Sequence, residues 1–182
     1  MLWRLVGIIS LLVGMGVAQG LSPNKVRGEN SQSGCPVELE PLMDKMLADL
    51  PGYANRVMQR NRNGGDSFRA SNVILAGRAE FEPLPLGPGK PIPEDPRQVF
   101  ITTLERTYSR DDRVLEIQHF HWLFLTKTQD GWHLALMFSS IDGARDGRPP
   151  SLPRENSQGA IAQAIRNWLR DCRAARPPRA RS

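Results

Sequence analysis

Cysteine, histidine and catalytic motifs are scarce in this chain of 182 residues. It has two cysteines and three histidines, and no Cys-x-x-Cys pair. No serine lies in a Gly-x-Ser-x-Gly elbow, which argues against a hydrolase nucleophile of that type. The stretch 87–90 lacks the spacing and the following helix of a phosphate-binding loop. We therefore favour a non-enzymatic protein that uses no cofactor.

No hydrophobic run reaches the roughly 20 residues that a membrane-spanning helix needs. The apolar run Leu5–Val17 follows a short positive start and precedes the small residues Ala18 and Gly20. This order is typical of a secretory signal peptide. We expect residues 1–20 to be a signal peptide that is cleaved after Ala18 or Gly20, with an uncleaved anchor as the alternative. The polar stretch 21–34 predicts a flexible lead-in.

Excess charge is missing from the body of the chain. The formal net charge is +5, but four arginines lie in the tail 173–182 and a fifth is Arg4. Subtracting these five leaves no net charge on residues 21–172. A neutral domain lacks the basic surface that tracks a nucleic-acid backbone, so we expect no nucleic-acid partner. The tail is typical of a disordered end, which either contacts an anionic membrane weakly or has no role.

The two cysteines, Cys35 and Cys172, lie near the two ends of the segment 35–172, for which we expect a single domain. Export would permit a disulfide between them. Such a bond would close a long loop and tie the ends of the domain together. Two buried free thiols or a reactive cysteine are the alternatives, although no motif supports either.

Hydrophobic periodicity predicts helices at both ends of the domain. Residues 36–50 carry leucines and methionines at helical spacing, and the Pro-Gly pair that follows is expected to end this helix. Residues 53–62 predict a second short helix. Residues 157–172 predict a final amphipathic helix, capped by Asn156 or Ser157.

Between the helices, four segments predict β-strands: 72–81, 98–108, 113–128 and 132–141. Asp130 and Gly131 between two apolar runs are a strong hairpin signal. If both are central turn residues, Leu125 pairs with Leu136, Leu123 with Phe138 and His121 with Ser140, although a glycine bulge would shift this register. Both faces of the hairpin are apolar near its middle, which predicts central strands covered by helix on one side and by a helix, a loop or a partner on the other. The fold class that results is α+β, with a four-stranded antiparallel meander sheet, N-terminal helical segments and a C-terminal amphipathic helix.

Residues 82–96 contain six prolines, which excludes a helix or a central strand. We expect an extended loop, and loops of this length are often functional. The candidate contacts for a protein partner are Pro85 and Pro93 in this loop and Trp122 in the hairpin.

His119 and His121 lie two apart on a predicted strand, so their side chains share a face. They are weak candidates for metal ligands, and we expect no metal because a bare His-x-His pair is common and a site needs a third ligand. The predicted register puts His133 on the opposite face, which leaves Glu105 as the alternative third ligand. The candidate lining residues of a small-ligand pocket between sheet and helices are Arg78, Glu105, His119 and His121. No residue is predicted to be catalytic.

Five stretches resemble a family of small exported cyanobacterial proteins that has no assigned function. They are CPVELEPLMDKMLADLPGYANRVMQR (35–60), AGRAEFEPLPLGPG (76–89), FITTLER (100–106), HFHWLFLTKTQDGW (119–132) and AIRNWLRDC (164–172). The resemblance covers most of the chain between the cysteines and implies a periplasmic or thylakoid-lumen setting, without implying catalytic residues. We expect an exported, non-enzymatic binding or accessory protein. The alternative is a small-ligand-binding protein or enzyme with a pocket between sheet and helices.

Overall fold

The computed structural model describes residues 34–62, 71–83, 94–108, 113–143, 147 and 149–175. The elements in chain order are α1 Leu39–Arg62, β1 Ser71–Ala76, β2 Arg97–Tyr108, β3 Val114–Thr128, β4 Gly131–Ile141, β5 Arg154–Glu155 and α2 Ala160–Ala174. The strands form one antiparallel sheet in the order β1-β2-β3-β4-β5. The α+β class is confirmed. The sheet has one strand more than predicted, because a strand of two residues is too short to show alternation.

Several predictions fall outside the described residues. They concern the signal peptide, most of the lead-in, most of the basic tail, and Pro85 and Pro93 of the proline-rich segment. Within the part of the chain that the structure describes, no helix is long and apolar enough to cross a membrane.

The two predicted N-terminal helical segments form one helix of 24 residues, α1, which continues through Pro51 and Gly52. A proline inside a helix removes one backbone hydrogen bond and costs about 3 kcal/mol. The apolar stripe, however, continues on both sides of the proline. Its buried members around this point are Leu47, Leu50, Ala54 and Val57. Because burial of each leucine or valine side chain contributes about 1.5–3 kcal/mol, burial of the stripe outweighs the cost of the proline.

Helices α1 and α2 pack against each other on one face of the sheet. Their apolar stripes meet the inward-facing side chains of the strands in one core. Its largest fully buried members include Leu42, Met43, Met46, Leu50, Ile101, Leu123, Leu125, Met137, Ile165 and Leu169. Among the described residues, no buried side-chain nitrogen or oxygen lacks a hydrogen-bond partner. The space between sheet and helices is thus a packed core.

The ends of the domain are tied together by a disulfide between Cys35 and Cys172, with the Cα atoms 5.0 Å apart. The predicted disulfide pair is therefore confirmed. Polar contacts between the helices add to it: the Trp168 indole donates to Asp49 at 2.8 Å, and the Tyr53 hydroxyl donates to Asp171 at 3.1 Å.

The predicted cap of α2 is wrong. The cap position is Gly159, which makes no side-chain capping hydrogen bond. The hydroxyl of Ser157 instead accepts from the backbone N–H of Met137 at 2.9 Å. The side-chain amide of Asn156 donates to Ser139 at 3.2 Å. Both predicted cap residues therefore pair with β4, because the chain runs beside that strand before the helix begins.

The β3–β4 hairpin turns at Gln129 and Asp130, one residue earlier than predicted. Thr128 pairs with Gly131, whose φ of 131° is open to glycine and rare for other residues. The Thr128 hydroxyl donates to the Asp130 carboxylate and lowers the pKa of Asp130 to about 2, with a smaller contribution from His133.

A bulge in β4 then shifts the β3–β4 register again. The observed pairs include Leu125 with Leu134, Leu123 with Met137, Trp122 with Phe138 and His121 with Ser139.

Candidate functional site

The face of the sheet that points away from the helices carries a cluster of aromatic rings. Phe100, Trp122 and Phe138 are directly paired across β2, β3 and β4. The ring centroids of Phe100 and Trp122 are 5.3 Å apart, and Phe120 stacks on Phe100 at 6.1 Å. Phe124 meets Phe138 edge-on at 6.0 Å. We call these five residues the outer aromatic face, and each is half-buried.

Alternation along the strands explains this face. Side chains at odd positions of β2 and β3, such as Val99 and Leu123, are buried against the helices. Those at even positions, such as Phe100 and Trp122, project to the other side of the sheet. The sequence predicted two apolar faces, and the structure places the helices on one of them.

Two carboxylates lie at the edge of the outer aromatic face. Glu80 pairs with Phe100 through backbone hydrogen bonds of 2.9 and 2.8 Å. Directly opposed residues in an antiparallel pair project to the same side, so Glu80 lies beside the Phe100 ring. Glu82 is nearby, and both glutamates are exposed. A groove of about 380 Å³ is lined by Glu80, Glu82, Pro83, Gln98, Val99, Phe100 and Trp122.

The described residues that line this groove, which we call the acidic aromatic groove, include no lysine, arginine or histidine. The Arg106–Glu116 ion pair lies farther along β2 and β3, where its atoms are 2.7 Å apart.

Trp122, predicted as a partner contact, is part of the groove. The sequence did not predict Glu80 beside Phe100, because their pairing is an isolated bridge after β1 ends.

A second set of polar groups lies on the helix-covered face. His121 is 1% exposed, and its ring nitrogens contact the hydroxyls of Thr103 at 3.0 Å and Ser139 at 2.8 Å. Burial lowers the pKa of His121 to about 3, with a smaller contribution from His119. The ring is therefore neutral near pH 7, and both of its nitrogens already have partners. These contacts give His121 a structural role.

Glu105 and His119 lie beside this buried histidine. Their side chains are 12% and 20% exposed, and Glu105 Oε2 is 3.9 Å from His119 Nε2. The Ser71 hydroxyl donates to Glu105 at 3.0 Å, and the Thr107 hydroxyl donates to Ser71 at 3.3 Å. The rings of His119 and His121 stack with centroids 6.1 Å apart. The structure thus brings together three of the four predicted pocket residues.

Arg78 is not part of this cluster. It is exposed and lines a different groove, of about 410 Å³, between α1 and β1. The reason is that β1 ends at Ala76, so the strand alternation expected for residues 72–81 stops before Arg78.

No group of three or more His, Cys, Asp and Glu side chains among the described residues could hold a metal ion. The third histidine, His133, lies at the hairpin turn with its Nε2 3.0 Å from Asp130. His119 and His121 therefore have no histidine beside them as a further ligand.

A further cavity of about 850 Å³ lies near the start of β2. Its described lining residues are Phe81, Pro83, Glu94, Asp95, Arg97, Gln98, Lys127 and Trp132. Two acidic and two basic side chains face it, so the lining gives it no preference for ligands of one charge.

Comparisons of the chain with protein-family models, with curated proteins and with solved structures find no match. The function is therefore inferred from the geometry of these sites.

Proposed function

We propose that this protein is a non-enzymatic binding or accessory protein of an exported compartment, the periplasm or the thylakoid lumen, and that its outer aromatic face docks a protein partner. One observation carries the proposal: five half-buried aromatic residues adjoin one another on the side of the sheet opposite the helices. Aromatic residues are enriched in protein interfaces, and contiguous apolar patches are typical of interaction sites.

The exported location has independent support. The Cys35–Cys172 disulfide is compatible with export, because disulfides persist mainly in oxidising compartments. The signal-peptide pattern of residues 1–20 and the resemblance to exported cyanobacterial proteins favour the same setting. The basic tail adds a weak contact with an anionic membrane to this proposal.

The packed core favours a binding surface over an internal pocket. His121, the most buried of the predicted pocket residues, is fully engaged by Thr103 and Ser139. The outer aromatic face is half-buried and lies outside the core, so a partner can contact it without any change in the core.

The test compares matched variants in the exported compartment. Cross-linking in intact cells, followed by affinity capture and mass spectrometry, is run on the wild type, on Trp122→Ala and on Leu152→Ser. Leu152 is 83% exposed and is not one of the five residues of the outer aromatic face, so its variant controls for loss of an exposed apolar side chain.

We expect one stoichiometric partner with the wild type and with Leu152→Ser, and at least a tenfold lower recovery with Trp122→Ala, since central aromatic contacts often contribute 2 kcal/mol or more to binding. Thermal unfolding of each variant checks that the fold is retained. Equal recovery of the partner with Trp122→Ala would contradict the proposal.

A small-ligand or enzymatic site around Glu105 and His119 is the second candidate. It is favoured by the partial exposure of both side chains and by their separation of 3.9 Å. Thermal unfolding in the presence of a metabolite library tests it, with His119→Ala as the control. A compound that stabilises the wild type and not the variant would favour this candidate over the first.

A further inference from the structure

We infer that the acidic aromatic groove selects a cationic segment of the partner, an extended stretch that presents arginine or lysine beside apolar residues. This inference rests on the proposed function, because it names the chemistry of the partner segment that the outer aromatic face would dock.

The groove contains two aromatic rings that are suited to contact with a cation. Phe100 and Trp122 are tilted by 54° with centroids 5.3 Å apart, and both line the groove. Aromatic faces attract cations that come within about 6 Å of the ring centroid, and tryptophan does so most strongly. A guanidinium or ammonium group in the groove would therefore contact an indole face, while its aliphatic stem covers apolar surface.

The rim of the groove is acidic. Glu80 and Glu82 are both exposed at the edge of these rings, with no basic side chain among the described lining residues. Two other grooves carry charges of both signs. Arg97 and Lys127 face the acidic side chains of the large cavity, and Arg78 balances Asp44 in the groove beside α1. The acidic aromatic groove thus combines two negative charges with two aromatic rings.

The groove also has a polar side chain that suits an extended peptide. Gln98 also lines the groove, and its amide offers both a donor and an acceptor. An extended peptide presents unpaired backbone N–H and C=O groups that such an amide can bind. A segment with alternating basic and apolar residues would place the cation between the glutamates and the rings and its backbone within reach of Gln98.

The test uses defined probes and the full-length mature protein. The peptides acetyl-RPLRPL-amide and acetyl-QPLQPL-amide differ only in charge, and isothermal titration measures their affinities at low and high salt. The variants are Glu80→Gln/Glu82→Gln and Trp122→Leu. The matched control is Glu38→Gln/Glu40→Gln, which removes the same charge at the start of α1, where both residues are exposed.

We expect the wild type to bind the arginine peptide and to show little binding of the glutamine peptide. The Glu80→Gln/Glu82→Gln variant should bind the arginine peptide about five- to tenfold more weakly, since each exposed ion pair is worth up to about 1 kcal/mol. Trp122→Leu should weaken binding to a similar extent, and the control should not. Binding should weaken as salt screens the exposed carboxylates.

Equal binding of the two peptides, or an unchanged affinity in Glu80→Gln/Glu82→Gln, would overturn the inference. So would the absence of binding to either peptide, because the groove would then be filled by another part of the chain or by a second copy. The affinity-capture experiment distinguishes failure of the cationic preference from failure of the docking surface. If Trp122→Ala loses the partner and Glu80→Gln/Glu82→Gln retains it fully, the docking surface stands and the cationic preference is wrong.

Discussion

The position of His121 in the fold determines whether its ring can bind a ligand. The sequence offered it as a ligand or pocket residue, because it stands two positions from His119 on a strand. In the fold it is 1% exposed, and the hydroxyls of Thr103 and Ser139 contact its two nitrogens. Thr103 lies on β2, and the β3–β4 register that pairs His121 with Ser139 depends on the turn at Gln129 and on the bulge in β4. The alternation of apolar residues determines neither the turn nor the bulge.

Acidification should therefore destabilise the protein through His121. The ordinary pKa of about 6.5 applies to the unfolded chain, and burial lowers the pKa to about 3 in the fold. Between pH 6.5 and pH 3, His121 is protonated in the unfolded chain and neutral in the folded chain. The free energy of unfolding is therefore highest above pH 6.5 and falls as the pH drops towards 3. The loss from this one group is on the order of 4 kcal/mol.

Urea unfolding at several pH values between these limits measures the slope. The His121→Gln variant should be less stable at neutral pH and should lose this part of the slope. The His133→Gln variant, whose side chain lies at the exposed turn, should retain it. A slope that is unchanged in His121→Gln would show that another group is responsible.

Two glycines should respond to alanine with opposite signs. A Cβ atom on Gly77 would lie 2.2 Å from Thr102 Oγ1, whereas a Cβ atom on Gly52 would meet only the Arg56 side chain at 3.6 Å. Because threonine is branched and stiff, Gly77→Ala should destabilise the protein by about 1–3 kcal/mol. Gly52→Ala should stabilise α1 by about 0.5–1 kcal/mol. Chemical denaturation of both variants checks the signs, and stabilisation by Gly77→Ala would contradict the close approach of Gly77 to Thr102 in β2.

At the scale of elements, the link between α1 and the edge strand β1 has a clear physical basis. The Asn55 side chain donates to the Val73 carbonyl at 3.0 Å and accepts from the Val73 N–H at 2.8 Å. These two backbone groups belong to the outer edge of the sheet, where unpaired groups invite pairing with another chain. Asn55 therefore blocks part of an edge that also exposes Ile74 and Leu75.

Substitution of Asn55 by alanine should destabilise the protein by about 1–3 kcal/mol, since it leaves the backbone groups of Val73 without partners. The open edge should also increase self-association. Urea unfolding and light scattering measure the two effects, with Gln59→Ala on the exposed side of α1 as the control. If Asn55→Ala matches the control in both, the side chain has no role at the edge.

The limits of β2, β3 and β4 were predictable, whereas the end of β1, the short strand β5 and the continuation of α1 were not. Strands β2, β3 and β4 begin and end within one residue of the predicted limits, because apolar runs bounded by turn residues determine them. The end of β1 at Ala76 and the continuation of α1 through Pro51 depend on contacts between elements distant in sequence. For the same reason, the sequence does not predict that Glu80 lies beside Phe100, because this position depends on the isolated bridge between them. The partner contact at Trp122 stays a prediction.

At the scale of the whole molecule, the disulfide joins the segment before α1 to the last turns of α2. Its cysteines are separated by 137 positions, for which the chain-entropy model gives roughly 4–5 kcal/mol. Reduction, or the Cys35→Ser/Cys172→Ser variant, should lower the free energy of unfolding by an amount of this order. Denaturation with and without reductant measures it.

The chain has no other cysteine, so intact mass after alkylation reports on this bond alone. Protein matured in its native compartment should take up alkylating reagent only after reduction. Two alkylated thiols in the absence of reductant would contradict both the bond and the oxidising setting.

The layer arrangement leads to the functional proposal. Both helices cover one face of the sheet, and a packed core lies between the helices and this face. The aromatic rings lie on the other face. A fold that places Phe100, Trp122 and Phe138 in one row on that side has a surface suited to a protein partner.

Site-specific photo-cross-linking tests this claim most directly. A benzophenone amino acid is introduced at Trp122 on the outer aromatic face and, separately, at Gln59 on the exposed side of α1. Irradiation in the exported compartment should give one discrete cross-linked product from position 122, containing the partner recovered by affinity capture, and none from position 59. Cross-linking of that partner from position 59 and not from position 122 would contradict the account.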